Sequence, residues 1–142
     1  MHFSTLYLMR NEELDNIGLG EIERDFSERF CYCCGETHPR YRYWCDWFQI
    51  GGRWAEPIVA KKGLTGERSW CNSGDKRISK NNFAVAEIKD ITEPLQAENI
   101  YAIATKSRVY SEDEYPDEYH DLLDKINNKK IKGVVAFIDC HD

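Results

Sequence analysis

Apolar residues recur along this chain with two different periods, and each period predicts a different element. Residues 2–9 place Phe3, Thr5 and Tyr7 on one side and Leu6 and Leu8 on the other. Both faces are mostly apolar, so the segment predicts an internal β-strand. Gly18 and Gly20 mark a loop. Over residues 20–30, Ile22, Phe26 and Phe30 recur at i, i+4 and i+8 with charges between them, which predicts a short amphipathic helix with a narrow buried stripe. Residues 46–60 predict two strand pieces broken at Gly51-Gly52. Residues 83–88 and 100–105 predict a strand pair, with the Pro94 segment connecting them. Ser111 and Glu114 have capping-box spacing, and Pro116 suits a first helical turn. Tyr119, Leu122, Leu123 and Ile126 follow at i, i+3, i+4 and i+7, and the acids of the first turn suit the helix dipole. After Gly133, Val134-Val135-Ala136-Phe137-Ile138 is an unbroken apolar run of the kind found in buried central strands.

The expected order is β-α-(loop)-β-β-β-α-β. That is an α+β fold, with a mixed or mainly antiparallel sheet and two helices. A length of 142 residues predicts one domain, residues 1–142. Two stretches fit neither period. Residues 31–45 are rich in cysteine and arginine and contain Gly35 and Pro39, so they predict an irregular cysteine-rich loop. Residues 61–81 are polar and glycine-bearing and predict a mobile loop.

Composition narrows the classes of function. Hydrophobic residues make up 42% and charged residues 31%, an ordinary globular balance. No apolar run approaches the ~20 residues that span a bilayer. The N-terminus has neither a basic start nor a small-residue cleavage site, which predicts a cytoplasmic protein with no membrane role. The net charge of −6 argues against general DNA or RNA binding. The charge is uneven, however. Residues 37–80 carry nine Lys and Arg against four acids, whereas residues 111–124 carry seven carboxylates and no Lys or Arg. A local basic and aromatic segment can still hold a small anion.

Three of the four tryptophans fall within Trp44-Cys45-Asp46-Trp47-Phe48-Gln49-Ile50-Gly51-Gly52-Arg53-Trp54. Two adjacent glycines forgo side-chain packing and lose the most backbone entropy on folding. A stretch that combines them with large indoles builds a shaped surface, either a tight corner or a pocket wall. Asp46 to Trp54 resembles the most recognisable motif of a family of small, functionally uncharacterised proteins of bacteriophages and bacterial mobile elements, roughly Trp-Asp-Trp-aromatic-x-Ile/Val-Gly-Gly-Arg-Trp. The opening His2-Phe3 and the closing Asp139-Cys140-His141 are similar to that family's two ends, and Phe83-Ala84-Val85 to a strand between them. Cys45 stands where the family usually has Trp, and Asp142 where it has an aliphatic residue. The resemblance implies a phage or mobile-element origin and a common fold, and it names no reaction.

Four groups of residues carry possible chemistry. Cys31 and Cys34 form a Cys-x-x-Cys-Gly knuckle, and His38 and Cys45, with Cys71 as the alternative, would complete a structural zinc site. The competing expectation is buried thiols in a loop. Arg40, Arg42 and Arg53 interleave with aromatics, and with Asp46, Trp47, Gly51, Gly52 and Trp54 they form the expected ligand-binding set. Guanidinium groups grip phosphate, indoles stack on bases, and glycines allow close backbone approach. The competing expectation is an edge strand with solvated arginines. His2, Asp139 and His141 are the candidates for acid–base or metal chemistry if the first and last strands are neighbours. Against this, they sit at the chain ends, which tend to fray. The acidic run 111–124 is either a solvated helix face or a mimic of nucleic-acid phosphates.

The leading expectation is therefore a non-catalytic protein that holds an anionic small molecule, a nucleotide or cyclic-nucleotide signal, and so counteracts host defence by sequestration. Two other classes stay open: an inhibitor of a host protein acting through the acidic 111–124 surface or the 61–81 loop, and a metal-dependent hydrolase built on His2, Asp139 and His141. Subunit number also stays open.

Overall fold

The structure, a computed structural model, describes residues 1–31, 44–54, 56–68 and 79–142. The elements run β1 (His2–Arg10), α1 (Leu19–Phe30), β2 (Trp47–Gly52), β3 (Ile58–Val59), β4 (Glu67–Arg68), β5 (Asn82–Phe83), β6 (Val85–Glu87), β7 (Ala102–Ala104), β8 (Val109–Ser111), α2 (Pro116–Asn127) and β9 (Gly133–His141). The fold is α+β, and its mixed sheet is mostly antiparallel.

β9 is the axis of the sheet because its apolar run can be buried on both faces. On one edge it pairs antiparallel with the whole of β1, from His2 opposite His141 to Arg10 opposite Gly133. Its other edge is shared. β2 pairs with residues 138–141, and β6 pairs with residues 134–136. β7 adds parallel to β1, β8 adds antiparallel to β7, and β4 adds parallel to the end of β2. β3 and β5 form a separate antiparallel ribbon.

Alternation along β1 and β9 sends side chains into two cores. On one face Leu6, Leu8, Val135 and Phe137 pack with Tyr119, Leu122, Leu123 and Ile126 of α2. On the other Tyr7, Met9, Ala136 and Ile138 pack with Ile22, Phe26 and Phe30 of α1. Both helical stripes lie where the 3.6-residue period places them. Pro116 opens α2 as expected, but Tyr115 is its N-cap. Ser111 Oγ instead accepts the Glu114 amide at 3.1 Å, in the turn that precedes the helix.

Two expectations are corrected. The segments 83–88 and 100–105 form strands but do not pair with each other: β6 lies on β9 and β7 on β1. The break within 46–60 falls after the glycines, because Gly51 and Gly52 belong to β2. Within the expected mobile loop 61–81, Leu64 bridges Val85 and β4 lies against Gly51 and Gly52; residues 69–78 lie outside the described residues. Of the expected cysteine-rich loop 31–45, residues 32–43 also lie outside them. Among the described residues, no helix is long and apolar enough to cross a membrane.

Candidate functional site

The opening pair, the tryptophan-rich motif and the closing tripeptide meet at one end of the sheet. Asp139 is fully buried there. A buried carboxylate costs several kcal/mol unless its lone pairs are satisfied, on the order of the desolvation of one ion. Two donors satisfy it. The His2 ring donates from Nδ1 to Oδ1 at 2.8 Å, and the Arg53 backbone N–H donates to Oδ2 at 2.7 Å. Because a carboxylate only accepts, it fixes the proton on Nδ1 and turns Nε2 of His2 outward.

This contact explains the glycine pair. Gly52 has φ +48°, and a Cβ placed on it would lie 2.5 Å from the Asp139 Cβ and 2.6 Å from Oδ2. Gly51 has φ +81°, and a Cβ there would press on Ala84 Cβ at 3.2 Å and Glu67 O at 3.3 Å. The left-handed backbone and the close approach both require glycine. The two glycines thus admit the protein's own Asp139, Ala84 and β4 at close range. The corner closes with the Trp54 N–H donating to the Gly51 carbonyl at 3.0 Å.

His2 and Trp47 both stand opposite His141 in register, so three rings share one face. The His2 and His141 centroids are 4.7 Å apart with planes at 80°. Trp47 stacks on His141 at 4.8 Å and 23°. Trp47 is 38% exposed, and the His2 side chain 20%. His2 and His141 thus lie within paired strands. Cys140 points to the opposite face, where its thiol reaches Thr5 Oγ1 at 3.5 Å. The same hydroxyl accepts the Trp44 indole N–H at 2.8 Å, and Trp44 stacks on Tyr101 at 6.0 Å.

A cleft of about 760 Å³ adjoins this corner. Trp54, Phe137 and Leu95 supply its apolar wall, and Asn81, Asn82 and Asn99 supply amides. Phe137 is two residues before Asp139 on the same strand face. The Asn99 carbonyl accepts the hydroxyl of Ser4, which stands opposite Asp139 in register, at 2.7 Å. Glu56 and Glu93 also line the cleft, and no Lys or Arg is among its described lining residues. The amide wall is absent from the sequence expectations. The only signal for it was Asn81-Asn82, at the boundary of the supposed mobile loop.

The expected ligand set is divided by the fold. Arg40 and Arg42 lie outside the described residues. Trp47 belongs to the imidazole patch and Trp54 to the cleft, with exposed Arg53 on the turn between their strand and the cleft wall. Asp46 is exposed, and its backbone N–H donates to the His141 carbonyl at 2.8 Å. Of the expected zinc ligands, Cys34, His38 and Cys71 lie outside the described residues. Cys31 and Cys45 are buried beside each other across a parallel bridge, and the Cys31 thiol donates to the Asp46 carbonyl at 3.3 Å. Among the described residues, no group of three or more His, Cys, Asp and Glu is placed to hold a metal ion.

Comparison with protein-family models, with curated proteins and with solved structures finds no match.

Proposed function

We propose that this protein binds an anionic, nucleotide-like small molecule at the corner formed by Gly51 to Trp54. The observation that carries the reading is the clamp on that corner. Asp139 holds the Arg53 amide, so the exposed Arg53 and the cleft-lining Trp54 are presented side by side on a fixed turn. Guanidinium and indole are the two groups that grip phosphate and stack on a base.

The described lining of the cleft refines the expectation. Its two acids, Glu56 and Glu93, are poor company for a phosphate. The uncharged end of the ligand therefore enters the cleft against Trp54 and Phe137, where amides read polar ring edges, and the phosphate stays outside with Arg53. In a phage or mobile-element protein inside a bacterial cell, such a site counteracts host defence by sequestering a nucleotide signal.

Calorimetric titration with mono-, di- and cyclic nucleotides tests the proposal. Arg53→Ala is expected to weaken binding about 10- to 100-fold, the loss typical of a charge-assisted contact, with an unchanged melting temperature. Equal affinity in the variant, or no nucleotide bound by the native chain, rules the assignment out.

A further inference from the structure

The antiparallel register of β1 and β9 places His2 directly opposite His141. Directly opposed residues have Cβ atoms about 4.5–5.5 Å apart, a spacing from which two imidazoles can converge on one ion. The ring separation agrees. A ligating imidazole nitrogen lies ~2.0–2.1 Å from the metal, so two rings on one ion at square to tetrahedral angles have centroids roughly 4.5–5.2 Å apart. The His2 and His141 centroids are 4.7 Å apart.

The surroundings add a second, independent observation. A metal-ligating histidine almost always donates its other ring N–H to a carboxylate or carbonyl, which fixes the tautomer and raises the ligand's basicity. His2 does so to Asp139 at 2.8 Å through Nδ1, so Nε2 is the nitrogen left to face an ion. Among the described residues no group of three or more His, Cys, Asp and Glu converges on one ion, so Asp139 acts through His2 and not as a third ligand. This differs from the expected hydrolase built on His2, Asp139 and His141, because it is a binding site and needs no turnover. Trp47 covers one face of His141 at 4.8 Å and limits its motion.

From this geometry we propose that His2 and His141 form a two-imidazole site for a first-row divalent transition ion such as Zn²⁺ or Co²⁺, with Asp139 as the outer anchor of His2. Imidazole donors select these ions over Mg²⁺ and Ca²⁺. Two protein ligands leave at least two positions for water or for an oxygen of a bound molecule. The site does not rest on the nucleotide reading, because neither the Arg53 guanidinium nor the cleft takes part in it.

The test is titration of the full-length, chelator-treated protein with Co²⁺ and Zn²⁺, read by calorimetry, by the Co²⁺ visible spectrum and by quenching of Trp47. The expected result is one ion bound at micromolar concentration without a thiolate-to-cobalt band. His2→Ala and His141→Ala are each expected to weaken that ion at least 10-fold. Asp139→Asn is expected to weaken it about 10- to 100-fold, the usual effect of losing an outer-shell partner. His120→Ala, which alters a histidine paired with Glu112 on α2, is the unchanged control. Asp139→Asn alters a buried group, so circular dichroism accompanies it, and the half-buried histidine variants decide the matter. Equal binding by the native protein and the His2→Ala/His141→Ala double variant overturns the proposal. So does an ion showing only thiolate ligation, or no ion bound in the micromolar range.

Discussion

Gly52 joins the backbone geometry of β2 to the chemistry of Asp139. Its φ of +48° and the 2.5 Å approach a Cβ would make leave no room for a side chain. Gly52→Ala combines left-handed strain with overlap against a fully buried carboxylate, and is expected to cost about 2–4 kcal/mol. Urea unfolding measures this, and a change under 1 kcal/mol would show that the corner can relax. The variant should also disturb the His2 ring, because Asp139 is the neighbour that must give way. The motif was legible in the sequence as a shaped surface, either a tight corner or a pocket wall, from two glycines set between indoles. Its purpose was not legible, because Asp139 lies 87 residues further along the chain and nothing local to Gly52 points to it. His2, Asp139 and His141 were legible as a group only on the condition that the terminal strands pair, and β1 and β9 meet that condition.

Elements were more legible than their partners. Hydrophobic period alone located α1, α2, β1 and β9, because each buries a stripe or a full face. Period says nothing of which edge a strand joins, and so the two apolar runs around Pro94 were paired with each other. In the structure, the single edge of β9 accommodates both β2 and β6 because each is short. α2 then docks through more than its apolar stripe. The Tyr119 hydroxyl donates to the Ile100 carbonyl at 2.6 Å and the Ala97 carbonyl at 3.1 Å, tying the helix to the segment before β7. Burial, aided by the Glu112 carboxylate, pushes the Tyr119 phenol up to about 12. Tyr7, buried and bonded to Asp25, is raised further in the same direction, first by burial. A folded-state value above the unfolded value of 10.0 stabilises the protein fully below pH 10, and that stability is lost as pH rises toward 12. Tyr119→Phe should therefore cost about 1–2 kcal/mol near neutrality, from two carbonyls left without their donor. It should also make the decline of the urea midpoint between about pH 9 and pH 11 shallower than in the native chain. Parallel declines would show that folding does not bias the ionisation of this phenol.

At the scale of the molecule, the two ends of the chain are neighbours, and the site is built between them. The Met1 ammonium donates to the Asp142 backbone oxygen at 3.0 Å and lies 3.6 Å from Oδ1 of its side chain. His2 and His141 follow immediately on each strand. Unfolding must separate ends that the native state holds together, and the entropy released by that separation favours the unfolded chain. A linker of about four glycine and serine residues joining residue 142 to residue 1 would limit that gain while spanning the native gap without strain. Loop-closure arithmetic for a ring of this size sets an upper bound near 5 kcal/mol, and about 2–4 kcal/mol is the expected gain once residual denatured-state structure is allowed for. Backbone cyclisation should thus raise the melting temperature by several degrees, and the denaturant slope should fall because the unfolded ring exposes less surface. The imidazole patch provides an internal check. If the linker leaves the register of β1 and β9 intact, the His2 and His141 ring signals in NMR spectra keep their native shifts while stability rises. A stabilised ring with displaced histidine signals would mean that cyclisation had altered the terminal register. An unchanged melting temperature would mean that the ends already stay close in the unfolded chain.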